Sequence, residues 1–297
     1  MIGDVVARIV RSDGLQFTIG DGEWRIPNDG LENWANLPYE VQSIDMPTYD
    51  GGVIMGKRVA SVDRSIRAIA ADAKNNERLR ETAISFFNPI YNYKVYITYM
   101  GRTRIAKGEQ IGFKCSEGNI YQPVEINWSI LCSNPYLQSN TETAKSFSST
   151  MARLGFPFMS FIPVSQGSVE GCNVGFVASV YKQQDGIVLE NDGDVPAGLR
   201  VVMMAQGSVV NPRVKIGDIY VSTNTRLHTG DRLVMDFTSM PPKVTLNGKN
   251  AMNILDKRSN ILDMKLPVGS SDIECSAAEN SERLAVEITY NQQYLGI

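Results

Sequence analysis

The strongest constraint on this chain is a period of two. In Tyr93-Lys94-Val95-Tyr96-Ile97-Thr98-Tyr99, Tyr93, Val95, Ile97 and Tyr99 fall on one side and Lys94, Tyr96 and Thr98 on the other, the pattern of a half-buried strand. Val124, Ile126, Trp128 and Ile130 repeat it, as do Leu233, Met235 and Phe237, and then Leu284, Val286, Ile288 and Tyr290. Turn chemistry separates such runs: Asp21-Gly22, Asp50-Gly51-Gly52, Asp185-Gly186, Gly230-Asp231 and Asn247-Gly248. Asn-Gly and Asp-Gly accept positive φ at little cost and so close hairpins whose twist matches the strands. The chain therefore reads as mainly antiparallel β. From Asn76 to Phe87 the rhythm changes. Leu79, Ala83, Phe86 and Phe87 follow helical spacing, Asn75 or Asn76 stands where a cap belongs, Glu77 favours the positive dipole end, and Pro89 stops the run. That segment is expected to be one amphipathic helix packed as core against a barrel.

With 297 residues, 43% of them hydrophobic and 21% charged, the expectation is two globular domains, each large enough to fold without metals or disulfides. The boundary is sought after Asn134-Pro135, where Gln138 to Thr143 is polar, turn-prone and aperiodic. The reading is a barrel-like domain with one helix over residues 1–137 and an antiparallel β-sandwich over 138–297. All three tryptophans, Trp24, Trp34 and Trp128, fall in the first.

Basic and acidic residues number 29 and 32 and are mixed along the chain, which argues against nucleic-acid recognition. No apolar stretch approaches the roughly 20 residues that span a bilayer, so no membrane insertion is expected. Asp4 and Arg8 interrupt the first apolar residues, and no secretory signal is read there. Cys115, Cys132, Cys172 and Cys275 have no paired spacing and are expected to be reduced, buried and inert.

The search for chemistry nominates no catalytic, cofactor-binding or metal-binding residue. His228, the only histidine, sits in a Thr229-Gly230-Asp231 turn and is read as an exposed turn residue rather than a general base. A metal site built from it with Asp192, Asp194 or Asp231 lacks any ligand spacing, and Asn191-Asp192-Gly193-Asp194 is read as a turn. No glycine-rich phosphate loop opens a helix. Paired carboxylates for glycoside hydrolysis stay open, since that chemistry depends on separation in space. Sugar binding by the second domain also stays open, although it has no tryptophan and offers mainly Tyr136, Tyr181, Tyr220, Tyr290 and Tyr294. Ile44 to Lys57, with Met46, Pro47, Tyr49, Val53, Ile54 and Met55 around Gly51-Gly52, is apolar for a loop. Two readings stand: a protruding subunit contact, or an ordinary hairpin buried in its own domain.

Four ordered stretches carry a resemblance. The first is the Asn76–Phe87 segment with Asn88-Pro89, the Tyr93–Tyr99 strand, Gly101-Arg102-Thr103-Arg104 as a hairpin tip, and the return to Trp128 and Asn134-Pro135. The second is Glu190 to Gly198 followed by Val210-Asn211-Pro212-Arg213-Val214; the third runs from Leu227-His228-Thr229-Gly230-Asp231 to Asp236 and on into Val244 to Asn250. The fourth is Leu266-Pro267-Val268-Gly269 with the strand Leu284 to Tyr290 and Tyr294-Leu295-Gly296-Ile297; its Gly269-Ser270-Ser271-Asp272 departs from the family's Gly-Asn and is expected to form a turn of the same geometry. Together they resemble the distal tail protein family of siphophages. The resemblance implies a non-enzymatic virion protein with an N-terminal belt domain and a C-terminal galectin-like sandwich. It implies a hexameric ring at the distal end of the tail tube, contacting the tube protein and the tail-tip or baseplate and receptor-binding proteins, assembled in the host bacterial cytoplasm without a cofactor. Met46, Tyr49, Val53, Ile54 and Met55 are the candidate subunit contact of such a ring. The alternative function is a carbohydrate-binding module for host-surface glycans.

Overall fold

The structure is a computed structural model that describes residues 5–46, 50–71, 75–116, 122–148, 150–152, 179–181 and 186–297. Two compact units result. The first comprises Met1–Thr141 with Gly193–Val195 and Asn291–Ile297; the second comprises Glu142–Asp192 with Pro196–Tyr290. The chain thus returns to the first unit twice after leaving it, a path that a single cut in the sequence does not express.

In the first unit the strands are β1 (Val6–Arg11), β2 (Gln16–Ile19), β3 (Trp24–Arg25), β4 (Leu31–Glu32), β5 (Tyr39–Asp45), β6 (Gly52–Val59) and β7 (Val62–Ala70). Helix α1 (Asn76–Phe86) follows, then β8 (Asn92–Tyr99), β9 (Arg102–Cys115), β10 (Glu125–Cys132) and β11 (Leu137–Ser139). Nine of them, with the strand Gln293–Tyr294, form one ten-stranded antiparallel sheet whose main path runs β2-β1-β8-β9-β10-β7-β3. It nearly closes on itself, because Gly20 beyond β2 donates its N–H to the Trp24 carbonyl of β3 at 2.8 Å. Alternation does the sorting: Tyr93, Val95 and Ile97 of β8 and Ile126, Trp128 and Ile130 of β10 all point inward and are buried.

The interior is aromatic. Phe87 lies 5.0 Å from both Phe113 and Trp128, and Tyr93 meets Trp128 edge-on at 5.1 Å. Such offset and edge-on arrangements suit the ring quadrupoles. The polar ends of these rings are satisfied: Trp128 Nε1 donates to Gln110 Oε1, and Tyr93 OH donates to the Asn88 carbonyl at 2.7 Å. Helix α1 contributes Leu79, Ala83 and Phe86 to this core, as its spacing predicts. Its N-cap position is held by Asn75 without a side-chain cap bond, and its last turn has no basic residue. Arg11 of β1 supplies the missing charge, donating to the carbonyls of Ser85 and Phe86 while it pairs with Asp13 at 2.6 Å.

Two sequence expectations need correcting here. The β8–β9 hairpin tip is Met100-Gly101, both at positive φ, and Arg102 to Arg104 already belong to β9. Gln138 and Ser139, read as linker, lie in β11, where Gln138 pairs with Gln293 and with Ile105. Their polar side chains concealed a strand because the pairing partners come from the far end of the sequence.

The second unit is a sandwich of two antiparallel sheets over one aliphatic core. One sheet runs Thr143–Ser148, Leu284–Tyr290, Ala197–Ala205, Arg232–Asp236, Lys243–Leu246 and Lys249–Asn250; the other runs Gly186–Asn191, Gly269–Ser276, Arg213–Ile216 and Ile219–Ser222. Between them Leu199, Val201, Met203, Leu233, Ile273 and Ile288 are fully buried. Asn247-Gly248 makes the two-residue hairpin its sequence announces, at φ 51° and 79°. Gly269-Ser270-Ser271-Asp272 forms no turn: these residues open the strand Gly269–Ser276 and pair with Asn191 to Val188.

Candidate assembly surface

β5 and β6 pair only with each other among the described residues, across a bulge between Gln42 and Ser43. Every β5 residue is exposed, as are most of β6. This is a two-stranded arm without a core beneath it, and such a ribbon is marginal in water on its own. Its apolar content is nonetheless high. Ile44 sits across from Val53, Ile54 is 58% exposed and Met55 64% exposed. Single exposed apolar residues are ordinary, whereas here several stand together on a ribbon whose strands pair only with each other among the described residues. Of the candidate contact residues, Met46, Val53, Ile54 and Met55 are all exposed, and Tyr49 lies outside the described residues. The reading of this segment as a hairpin buried in its own domain does not fit these exposures. Arg58 and Glu40 form a cross-strand ion pair at 2.5 Å that helps hold the two strands in register.

The other sequence candidates are dispersed. His228 is exposed, and its Nδ1 lies 3.6 Å from Asp231 Oδ2. Asp231 is occupied otherwise: it accepts the His228 backbone N–H at 2.8 Å and the Asn247 amide at 2.8 Å, which together hold its carboxyl below the usual range. It braces a hairpin. Asn191 is fully buried and donates its amide to the Leu266 carbonyl, while Asp194 belongs to the first unit and accepts the Leu295 N–H at 3.0 Å. Among the described residues no three His, Cys, Asp or Glu side chains are grouped as metal ligands. Cys132 and Cys275 are buried and Cys115 half-buried; Cys172 lies outside the described residues. On the four-stranded sheet one face of Tyr220 is covered by the Arg213 guanidinium, 4.0 Å from the ring centre.

One feature of the first unit had no signal in the sequence. The strand Gln293–Tyr294 adds to β11, and the Arg104 guanidinium stacks 3.3 Å from the Tyr294 ring centre. Ile297 packs on the barrel core. Only the pairing of Arg104 with Ser139 and of Leu137 with Tyr294 brings these distant residues together.

Residues 192–294 match the family model of the siphovirus-type tail component, C-terminal domain. Solved structures resemble the chain over nearly its whole length. The crystal structure of the SPP1 Dit (gp 19.1) protein, a paradigm of the hub adsorption apparatus in phages infecting Gram-positive bacteria, aligns with TM-score 0.62 at 11% identity, covering 97% of this chain and 98% of that one. A chain of the phage P2 baseplate in its activated conformation with calcium aligns with TM-score 0.52 at 8% identity, covering 99% of both chains. The strontium form of that baseplate gives TM-score 0.53 at 9% identity. At such identities the likeness is one of fold. No curated protein matches the chain in sequence.

Proposed function

We propose that this chain is a non-enzymatic structural protein of a siphophage tail tip. Copies of it assemble head-to-tail into a six-membered ring at the distal end of the tail tube, joining the tube to the baseplate and receptor-binding proteins of the virion. The observation that carries this reading is the β5–β6 arm, which leaves Val53, Ile54 and Met55 exposed on a ribbon with no core of its own. The tail-component match of residues 192–294 and the fold shared with a phage hub protein and a baseplate chain support the setting. A closed ring needs two different complementary surfaces on each copy, and the arm supplies one of them.

Native mass spectrometry of the purified chain over a wide concentration range, with negative-stain microscopy of the same sample, tests the reading. The expected result is a closed hexamer with an open centre. A strict monomer at every concentration overturns self-assembly by this chain.

A further inference from the structure

We infer that the ring contact is keyed by charge: the basic outer face of β8–β9 in one copy receives the acidic side of the next copy's barrel, where β4 and the β5–β6 arm emerge. This rests on the ring reading and supplies the second surface that reading requires.

Although the formal net charge is only −3, the first unit separates its charges. From Asp21 to Asp50 there are seven acidic residues and one base, Arg25, with Lys57 and Arg58 following on β6; from Lys94 to Lys114 there are five bases and one acid, Glu109. The fold sets these segments apart. Counting round the sheet in the order β2-β1-β8-β9-β10-β7-β3, both β8 and β9 are at least three strands from β3 in either direction. β4 pairs with β7 through Leu31 and Glu32, on the β3 side, and the arm springs from the segment between β4 and β7. The two charged regions therefore occupy opposite sides of one nearly closed barrel.

The bases on the outward face of this hairpin are Lys94 and Lys107, with Arg8 of β1 beside them, whereas Arg104 lies opposite the buried Ile97 and stacks on Tyr294. Lys94 and Lys107 stand directly opposite each other on the outward face, an arrangement of like charges that weakens a strand pair. Arg8 is opposite Tyr96, its guanidinium 4.5 Å from the ring centre, and Lys94 Nζ is 4.9 Å from the same ring. Among the described residues none of Arg8, Lys94 and Lys107 forms an ion pair. Ile111 and Met100 of the same hairpin are exposed, giving the face apolar points as well.

The acidic side is likewise only partly answered. Glu23, Asp29 and Glu40 pair with Arg78, Arg67 and Arg58, whereas Asp21, Glu32, Asp45 and Asp63 are exposed and form no ion pair among the described residues. Asp45 lies on the arm itself, beside Ile44. A copy that lays its arm and β4 against the neighbour's β8–β9 face matches acid with base and apolar with apolar. Because the faces are opposite and different, the contact repeats in one direction, as a head-to-tail ring requires.

Charge reversal in two variants tests this. Lys94→Glu/Lys107→Glu removes the excess of base from the β8–β9 segment, and Glu32→Lys/Asp45→Lys removes most of the excess of acid from the Asp21–Asp50 segment; thermal unfolding confirms that each protomer is folded. Each variant alone is expected to lose the oligomer, its apparent dissociation constant rising on the order of a hundredfold at low salt. Mixed in equal amounts, they are expected to restore rings of alternating copies. Wild-type rings that persist unchanged in either variant overturn the charge key and leave the ring reading standing. Loss in both variants without restoration on mixing also overturns it, since the charges then do not meet one another. A wild type that is monomeric throughout overturns the ring reading itself.

Discussion

Two hairpins of the first unit, β5–β6 and β8–β9, are both rich in apolar residues yet meet opposite fates. β8–β9 has Tyr93, Val95 and Ile97 sealed inside the barrel, while β5–β6 has Ile44, Ile54 and Met55 in solvent. The difference lies in neighbours rather than in propensity. β8 is flanked by β1 and β9, and its inward face meets Phe87 and Trp128, so each buried side chain contributes on the order of 2 kcal/mol. Among the described residues β5 and β6 pair only with each other, so their apolar residues bury little within the protomer. Apolar residues that do no work in one copy are those available to an interface.

The sharpest way to break this contrast is Trp128→Ala. Trp128 is fully buried, contacts Phe87 and Tyr93, and donates to Gln110 Oε1, so its truncation leaves a cavity and takes the donor from that oxygen. A loss of about 3–5 kcal/mol in urea denaturation is expected. A loss below about 1 kcal/mol would mean that the barrel core collapses around the gap.

Arg64→Met is expected to act in the opposite direction. Arg64 points into the barrel on β7 and is 1% exposed; its Nη2 donates to the Pro135 carbonyl, but Nε and Nη1 have no hydrogen-bond partner. Burial pushes its pKa down. The Trp34 ring 5.1 Å away offsets only part of that cost. An apolar side chain of similar length should raise protomer stability by about 1–3 kcal/mol, measured by the same denaturation. Destabilisation would instead show that the Trp34 stack and the Pro135 bond outweigh desolvation.

A smaller effect concerns the buried thiols. Burial raises Cys132 to about 11 and Cys275 to about 12. A thiol whose folded pKa lies above its unfolded value contributes stability that is complete below about pH 8.5 and is lost as pH rises toward the folded value. Stability is therefore expected to be flat near neutrality and to fall above about pH 9, by at most about 1.4 kcal/mol per pH unit for each thiol. Cys275→Ala should make that alkaline limb shallower in the second unit; an unchanged slope would assign it to other groups, such as Tyr93 and Tyr290, whose pKa values burial also raises.

What the sequence disclosed follows from range. Alternation and turn residues are local, so β8, β10, the Leu284–Tyr290 strand and the Asn247-Gly248 hairpin were all legible, and helix α1 was placed to within a residue at its end. The arm was legible as an apolar loop around Gly51-Gly52, but its exposure was not, because exposure depends on which strands fail to pair with it. Long-range partners were hidden for the same reason. Nothing around Gln138 signals Gln293, and nothing around Arg104 signals Tyr294. The separation of charge onto opposite sides of the barrel likewise needs the strand order, since along the chain acids and bases balance to −3.

Ile54→Asp combined with Met55→Asp has the smallest expected effect on the protomer and bears most directly on the two-hairpin contrast. Both residues are more than half exposed, so placing charges there should change protomer stability by about 0.5 kcal/mol or less. Circular dichroism and the urea midpoint should match wild type, while the oligomer seen by native mass spectrometry is lost. The equivalent change in β8, Val95→Asp, places a carboxylate at a fully buried position and should unfold the barrel. If the arm variant unfolds as well, the arm is held by its own protomer and the contrast fails. If it folds and still assembles, the arm is no subunit contact and the β8–β9 face must meet a different part of its neighbour. Loss of assembly with an intact fold would mean that the chain keeps one apolar ribbon outside its own core for use only between copies.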